Sequence, residues 1–567
     1  MAKGLLALFL LAGCTYGRAD GPVVTAPSTE AASLTPASSD PWLAGKLPSE
    51  VMQGTPRSGG TLAVRIQAAP PSLDTITDSN LGTTWMLSRK VYQALAQLDS
   101  SKPPDYPLKP VLAERWDVSP DGQTFTFHIR HGVKWHDGEP FTGQDVVATI
   151  KKILDPKVRA MSLRNYYEDL DDIHTLPGDD FTVVAHYRKP YFMALRSLAT
   201  QSIYPKHILD TTPDLISHPI HRAPIGTGPF KFVAWDTANQ KITFARNESY
   251  WGRKAYLDKI VYRIVKDSTV AYQMLLQGEF DLYTVLSPAM WVQQMPENAF
   301  LRANYNRSQF YDPNYSWIGW NTKRPFFADA RVRLAMTYLL DREGILEQFA
   351  LGVERPTTCH FYYDSSACDR SLLPRPYDPA KAVALLDAAG WTDHDGDGLR
   401  DKDGVPFKFT FLVTAASTFG AKVGAYMQSA FRRVGIAVEI KKLDWSIYSQ
   451  NLREHQFDAC TLLWGNTDVV SDPYQIWNSA QAKDGSNYIS YANPKADALI
   501  DAARKELNDD KRNALYRELG RILYDDNPYT WLFNRPSLDA IRKTVHGIRP
   551  AVPWYDLEDV WIGDPTP

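Results

Sequence analysis

The chain has 567 residues, a hydrophobic fraction of 44% and a formal net charge of −3 at pH 7. That length exceeds what one hydrophobic core organises, so several lobes are expected. The small net charge gives no argument for nucleic acid or for a polybasic membrane surface, while 16 Trp, 29 Tyr and 23 Phe supply either a large core or a cleft walled by flat amphipathic side chains.

In chain order, the first feature is an apolar run from Leu5 to Ala12 behind Lys3. It is too short to cross a bilayer, which takes about 20 residues, and has the length of a secretory core segment. Leu11-Ala12-Gly13-Cys14 resembles the lipobox of bacterial lipoproteins. The resemblance implies that residues 1–13 are a signal peptide and that Cys14 becomes a lipidated first residue. Residues 14–56 are rich in Ala, Ser, Thr, Pro and Gly. Such a composition buries too little apolar surface to offset chain entropy, which predicts a disordered tether.

Strand and helix signals then alternate. TLAVRI (61–66) and QTFTFHIRHGVKW (123–135) read as strands, the second with a turn at His131-Gly132. After the turn Asp137–Pro140, Thr142 is placed to cap a helix whose apolar positions 146, 147, 150, 153 and 154 share one face. FTVVAHY (181–187) and KITFAR (241–246) follow as strands, then a helix over 269–280 and another over 331–349. The spacing next predicts a helix over 378–389 stopped by Gly390, a strand over 407–413, a helix over 425–435, and a strand over 436–443. Residues 493–524 carry a helical pattern broken near Asn508. This mixture points to α/β lobes.

Of the four cysteines, Cys359 and Cys368 close a short loop, CHFYYDSSAC, and in an oxidising compartment a disulfide between them is expected. Zinc is the rival, but His360 is the only nearby histidine. Cys460, in DACTLLW, reads as a small buried hydrophobe. In TDHDGDGLRDKDG, Asp393, Asp395, Asp397 and Gly398 match the start of a calcium loop, with Asp401 at the ninth position. Gly404 stands where the bidentate Glu belongs, so a solvated turn is expected and no metal or other cofactor is assigned.

Four stretches together resemble the extracytoplasmic solute-binding proteins of peptide-type ABC transporters: TFTFHIRHGVKWHDGEPFTGQDVVATIKKILDP, PIGTGPFKFVAWDTANQKITFARNESYWG, IGWNTKRPFFADARVRLAMTYLLDREGIL and YDPAKAVALLDAAGW. Their order and spacing match that family from about Gly60 to Trp561. The resemblance implies a two-lobed, hinged α/β periplasmic-binding-protein fold enlarged by an extra domain. Domain I would comprise 57–90, 225–313 and 531–567, domain II 91–224, and domain III 314–530. It also implies a monomer that hands peptides to membrane permease subunits driven by cytoplasmic ATPases. The location would be the periplasm, or the outer face of the cytoplasmic membrane. Family members also take nickel chelates, haem, opines and oligosaccharides, and a peptide-sensing receptor would use the same body.

A general peptide receptor reads what all peptides share: backbone, ammonium and carboxylate. In the oligopeptide- and dipeptide-binding relatives, a Trp-x-x-Asp segment supplies a carboxylate for the ammonium. Here the matching segment is LLWGNTDVVSDPYQIWNS. Trp464, Gly465 and Asn466 match its start, but Asp468 lies at +4 instead of +3. Asp468 through a longer loop, Asp472, or a ligand without an α-ammonium are the alternatives, beside the reading that both aspartates merely shape the turn before Pro473. On the facing wall, the resemblance makes Asn80 and Thr84 candidate backbone contacts. Gly226-Thr227-Gly228 lacks the lysine of a phosphate loop and is expected to be a tight structural turn. No G-x-S-x-G, H-E-x-x-H or other catalytic constellation is present, so binding is favoured over catalysis.

Overall fold

Alternation in TLAVRI buries Leu62 and Val64 completely and puts this strand, Thr61–Ile66, inside a seven-stranded sheet. The strand order is Tyr305–Tyr311, Pro536–Arg542, Leu282–Tyr283, Thr61–Ile66, Lys259–Ile264, Lys241–Arg246, Phe230–Asp236. Thr61–Ile66 is parallel to both neighbours. Buried Arg65 is tolerated there because its guanidinium donates to the carbonyls of Thr284 (3.2 Å) and Val265 (3.1 Å). The computed structural model describes residues 40–78, 80–103, 106–552 and 554–565. Cys14, the signal peptide and most of the expected tether lie outside them.

The tether nevertheless needs a correction at its C-terminal end, because residues from Asp40 onward are packed on the body. Trp42 Nε1 donates to the Tyr305 carbonyl at 2.7 Å, and Gln309 N donates to the Gly45 carbonyl at 2.8 Å. The Trp42 ring faces the guanidinium groups of Arg302 and Arg307, each at 5.1 Å, and Val51 is fully buried. This segment covers the outermost strand of the sheet, whose unpaired groups would otherwise face solvent.

A second, antiparallel sheet runs Ala113–Val118, Thr124–Ile129, Asp179–Tyr187, Leu170–Leu176. Helix Gly143–Leu154 lies against it, started by Thr142 as the sequence suggests, and Asp145 completes a reciprocal capping box. A third sheet runs Ala437–Leu443, Lys408–Thr414, Ala459–Gly465, Asn314–Trp320, Tyr529–Trp531. Its parallel pair Lys408–Thr414 and Ala437–Leu443 is joined through helix Thr418–Arg432.

Three helices differ from expectation, the one read over 425–435 because it already starts at Thr418, where the Ser417 side chain caps it. The pattern over 331–349 is split into Ala330–Tyr338 and Arg342–Ala350. The Asp341 side chain accepts from Gly344 N and restarts the helix, while Asp341 N donates to Tyr426 Oη at 3.1 Å. The helix expected over 269–280 stops at Leu276, and Gly278 follows with φ +72°. Asn508 does cap a new helix, Asp509–Asp526, after Pro494–Lys505.

The first two sheets share one core that contains Leu62, Val64, Phe127 and Ile150. The third keeps its own, with Trp320, Phe409, Phe411 and Val423. Two lobes result, one of them enlarged by the second sheet. The chain crosses between lobes at 311–314 and 531–536, where Asn534 Nδ2 donates to the carbonyls of Asp312 (3.0 Å) and Asn314 (2.7 Å). Asn314 Nδ2 answers with a 2.9 Å bond to the Arg535 carbonyl.

Cys359 and Cys368 correct another expectation: both are free, buried thiols. Burial, and then the neighbouring Cys368 thiol, push the Cys359 pKa well up. Cys460 is buried, and burial raises its thiol likewise.

Candidate ligand cleft

Strand Ala459–Gly465 delivers the segment 464–472 to the junction of the lobes. Trp464 is half-buried among aromatic rings. It lies between Trp317 (5.9 Å, interplanar 23°) and Tyr488 (5.8 Å, 23°), and its Nε1 donates to Tyr529 Oη at 3.4 Å. Trp464 thus anchors the end of the strand from inside the third-sheet lobe. At Gly465 a Cβ would come within 2.7 Å of Leu81 Cδ1, so the other lobe touches bare backbone here. Asn466 N donates to the Pro313 carbonyl at 2.9 Å, tying the loop to a lobe crossing.

Across the junction, Asn80 caps helix Leu81–Leu87, its Oδ1 accepting from Thr83 N at 3.1 Å. Thr84 lies in the same first turn, half-buried, with its backbone committed to the helix. The structure therefore brings Gly465 to the start of this helix. It gives Asn80 a capping role that occupies the side-chain oxygen.

Asp468 and Asp472 both reach the other lobe, and both meet arginine. Arg196, on helix Ala194–Thr200, binds Asp468 side-on: Nε to Oδ2 at 2.7 Å and Nη2 to Oδ1 at 2.9 Å. Val470 N adds a 3.0 Å bond to Oδ1, and Arg196 Nη2 also donates to the Tyr106 carbonyl at 3.2 Å. Asp472 accepts from Tyr191 Oη (2.8 Å) and Arg504 Nε (3.0 Å) on Oδ2, and from Tyr474 N on Oδ1. Burial and the Asp472 charge raise the Tyr191 phenol far above its ordinary pKa, keeping it a donor. Arg504 is further held over the Tyr474 ring at 4.0 Å and by Glu168 at 3.6 Å. Sequence reasoning missed Arg196, Tyr191 and Arg504: no local motif marks them, and Arg196 is 272 positions from Asp468.

The aspartate-rich loop is laced by side-chain-to-backbone hydrogen bonds. Asp393 accepts from the N–H groups of Gly396 and Gly398, Asp395 from Asp397, Asp397 from Leu399, and Asp401 from His394. Oxygens of Asp393, Asp395 and Asp401 lie within 4.8 Å of one another on the surface, with Asp397 outside that group. Millimolar calcium is expected to shift the melting temperature by less than about one degree, since weak binding contributes little at that concentration. A large stabilisation abolished by Asp395→Ala would contradict the turn reading.

Residues 107–488 match the family model described as bacterial extracellular solute-binding proteins, family 5 middle. The chain belongs to this family. The solute-binding protein is 29% identical over 525 residues to the oligopeptide-binding protein AppA of Bacillus subtilis, covering 90% of this chain and 93% of AppA. To the dipeptide-binding protein of Escherichia coli it is 26% identical, covering 77% and 83%. The solved structure of Bacillus subtilis AppA in complex with a nonapeptide superposes with a TM-score of 0.80 at 27% identity, covering 90% of this chain and all of that one. The two-lobed α/β architecture is thus that of the family. Its lobe junction is where the Asp468 and Asp472 pairs of this solute-binding protein lie.

Proposed function

We propose that the protein captures peptides between its lobes and delivers them to the permease of an ABC importer. The observation that carries this reading is the likeness, over nearly the whole body, to AppA, whose solved structure holds a nonapeptide. What supports the site is the convergence of 464–472 with Leu81 and Arg196 at the lobe junction. A ligand touching both lobes there favours the closed form, since only closure provides both sets of contacts.

In this reading, domain I comprises 57–90, 225–313 and 531–567, domain II 91–224 and domain III 314–530. Trp464 sets the strand end. Gly465, Asn466, Asn80 and Thr84 face the peptide backbone, and Asp468, with Asp472 behind it, provides the negative charge for the ammonium. Lipid on Cys14 holds the monomer on the extracytoplasmic side of a membrane.

The test is mass spectrometry of small molecules released from the purified protein by denaturation. A heterogeneous set of short peptides is expected. Asp468→Asn is expected to weaken binding of such peptides at least about tenfold, the loss of one charge-assisted contact. Consistent release of sugars or metal chelates, with no peptide, would overturn the reading.

A further inference from the structure

Asp468 has no spare charge in this structure. Its two oxygens already take three hydrogen bonds, two from the Arg196 guanidinium and one from Val470 N. The side chains are 14% and 19% exposed, so the pair is shielded from most solvent screening. The side-on fork is the arrangement in which arginine binds a carboxylate most strongly. Arg196 is also pinned by its bond to the Tyr106 carbonyl, so the guanidinium is presented in one orientation.

The two partners sit on different lobes. Arg196 rises from the helix that follows the second sheet, and Asp468 hangs from the end of a third-sheet strand. Parting the lobes must break the fork. By contrast, the second pair is partly internal to one lobe, because Arg504 and Asp472 both belong to the third-sheet lobe. Only Tyr191 crosses to Asp472. The Arg196–Asp468 fork is therefore a bidentate charged clasp across the lobes, stronger in geometry than the single 3.6 Å approach of Arg504 to Glu168.

We propose that Arg196 is a specificity-determining residue of the cleft, a built-in counter-ion that holds Asp468 across the lobes until a ligand ammonium displaces it. The proposal rests on the peptide reading for the identity of the displacing group. Its chemistry is an exchange of one cation for another on the same carboxylate. A free ammonium must break two bonds to form its own, so Arg196 reduces the advantage of a charged N-terminus over a blocked one. A blocked peptide leaves the fork in place and loses nothing. The +4 spacing from Trp464 to Asp468 fits this role, because it carries the carboxylate onto the opposite lobe's arginine.

Two measurements on the full chain and on Arg196→Ala test this, with Arg196→Lys as a milder variant that keeps the charge but loses the fork. Small-angle X-ray scattering of protein stripped of ligand is expected to give a larger radius of gyration for Arg196→Ala, because the clasp is gone. An unchanged radius overturns the clasp. Isothermal titration with one nonapeptide, free and N-acetylated, gives the ratio of the two affinities. That ratio is expected to rise at least about tenfold in Arg196→Ala, with Arg196→Lys between. An unchanged or smaller ratio overturns the displacement. If neither form of the peptide binds wild type or variant, the peptide reading fails and the displacement with it, whereas the scattering result still decides the clasp.

Discussion

Replacing Gly226 by alanine is expected to lower folding stability by more than about 3 kcal/mol. A Cβ built there would lie 1.9 Å from the Val91 carbonyl oxygen and 2.5 Å from its carbon, both backbone atoms that cannot swing away. Gly228 is crowded in the same way, 2.3 Å from the Lys90 oxygen. The close approach exists because the two segments are bonded to each other: Gly228 N donates to Val91 O and Phe230 N to Lys90 O, each at 2.9 Å. His136, from the WHDG turn, holds the other side. Its Nδ1 accepts from Gly226 N at 3.2 Å, which leaves the proton on Nε2 to donate to Gly228 O at 3.0 Å. Burial pushes the His136 pKa down to about 4, so the ring stays neutral and fits both roles. Thr227 completes the joint by donating to Gln93 Oε1. The control is Gly520, in helix Asp509–Asp526, where an added Cβ meets nothing within 4 Å. Gly520→Ala is expected to be neutral or stabilising by up to about 1 kcal/mol. Urea midpoints of the two variants decide it: a Gly226→Ala protein within about 1 kcal/mol of wild type would mean that this joint can relax.

The same joint shows what a sequence can carry. Local devices were legible: Thr142 with Asp145, the break at Asn508, and the alternation of Thr61–Ile66 each depend on residues within a few positions. The glycines of 226–228 could be read as a structural turn because a phosphate loop needs a lysine they lack. Their actual partners, Lys90 and Val91, are more than 130 positions away and have no local signature. Asp341 was readable as a second cap, but a run of apolar residues on either side masked it. Composition averaged over 14–56 hid Trp42 and Val51, two side chains large enough to fasten the segment to the body. At the cleft, Asp468 was legible through its likeness to a family segment. Its counter-ion was not, because pairing across lobes depends only on how the lobes meet.

The stability advantage of Asp312→Asn over wild type should grow as pH rises from about 4 to 8. Asp312 lies in the crossing between Tyr305–Tyr311 and Asn314–Trp320. Its carboxyl is raised to about 8 by burial; the Trp554 N–H bond at 3.3 Å works against this and the Asp539 charge adds to it. Asp539 is itself raised to about 6 by burial, despite bonds from Ser537, Val285 N and Tyr555. Proton linkage sets the direction. The unfolded chain releases the Asp312 proton near pH 3.8, the folded protein only near 8. Between those values the native state holds a proton that the unfolded state has lost, so rising pH favours unfolding. A tenfold difference in proton affinity is worth about 1.4 kcal/mol, which puts the whole effect on the order of 5 kcal/mol. Asparagine keeps an oxygen for Trp554 N and cannot ionise. Its variant should therefore match wild type near pH 4 and exceed it by most of that amount at pH 9. Urea unfolding of both proteins across this range is the measurement, and parallel curves would show that Asp312 ionises in the folded state as readily as in the unfolded one. The placement matters for function because the crossing is where lobe closure bends the chain. A neutral Asp312 lets Asn314 and Asn534 lace the two crossings without a buried charge between them. An ionised one would draw water into the crossing and favour whichever lobe angle exposes it.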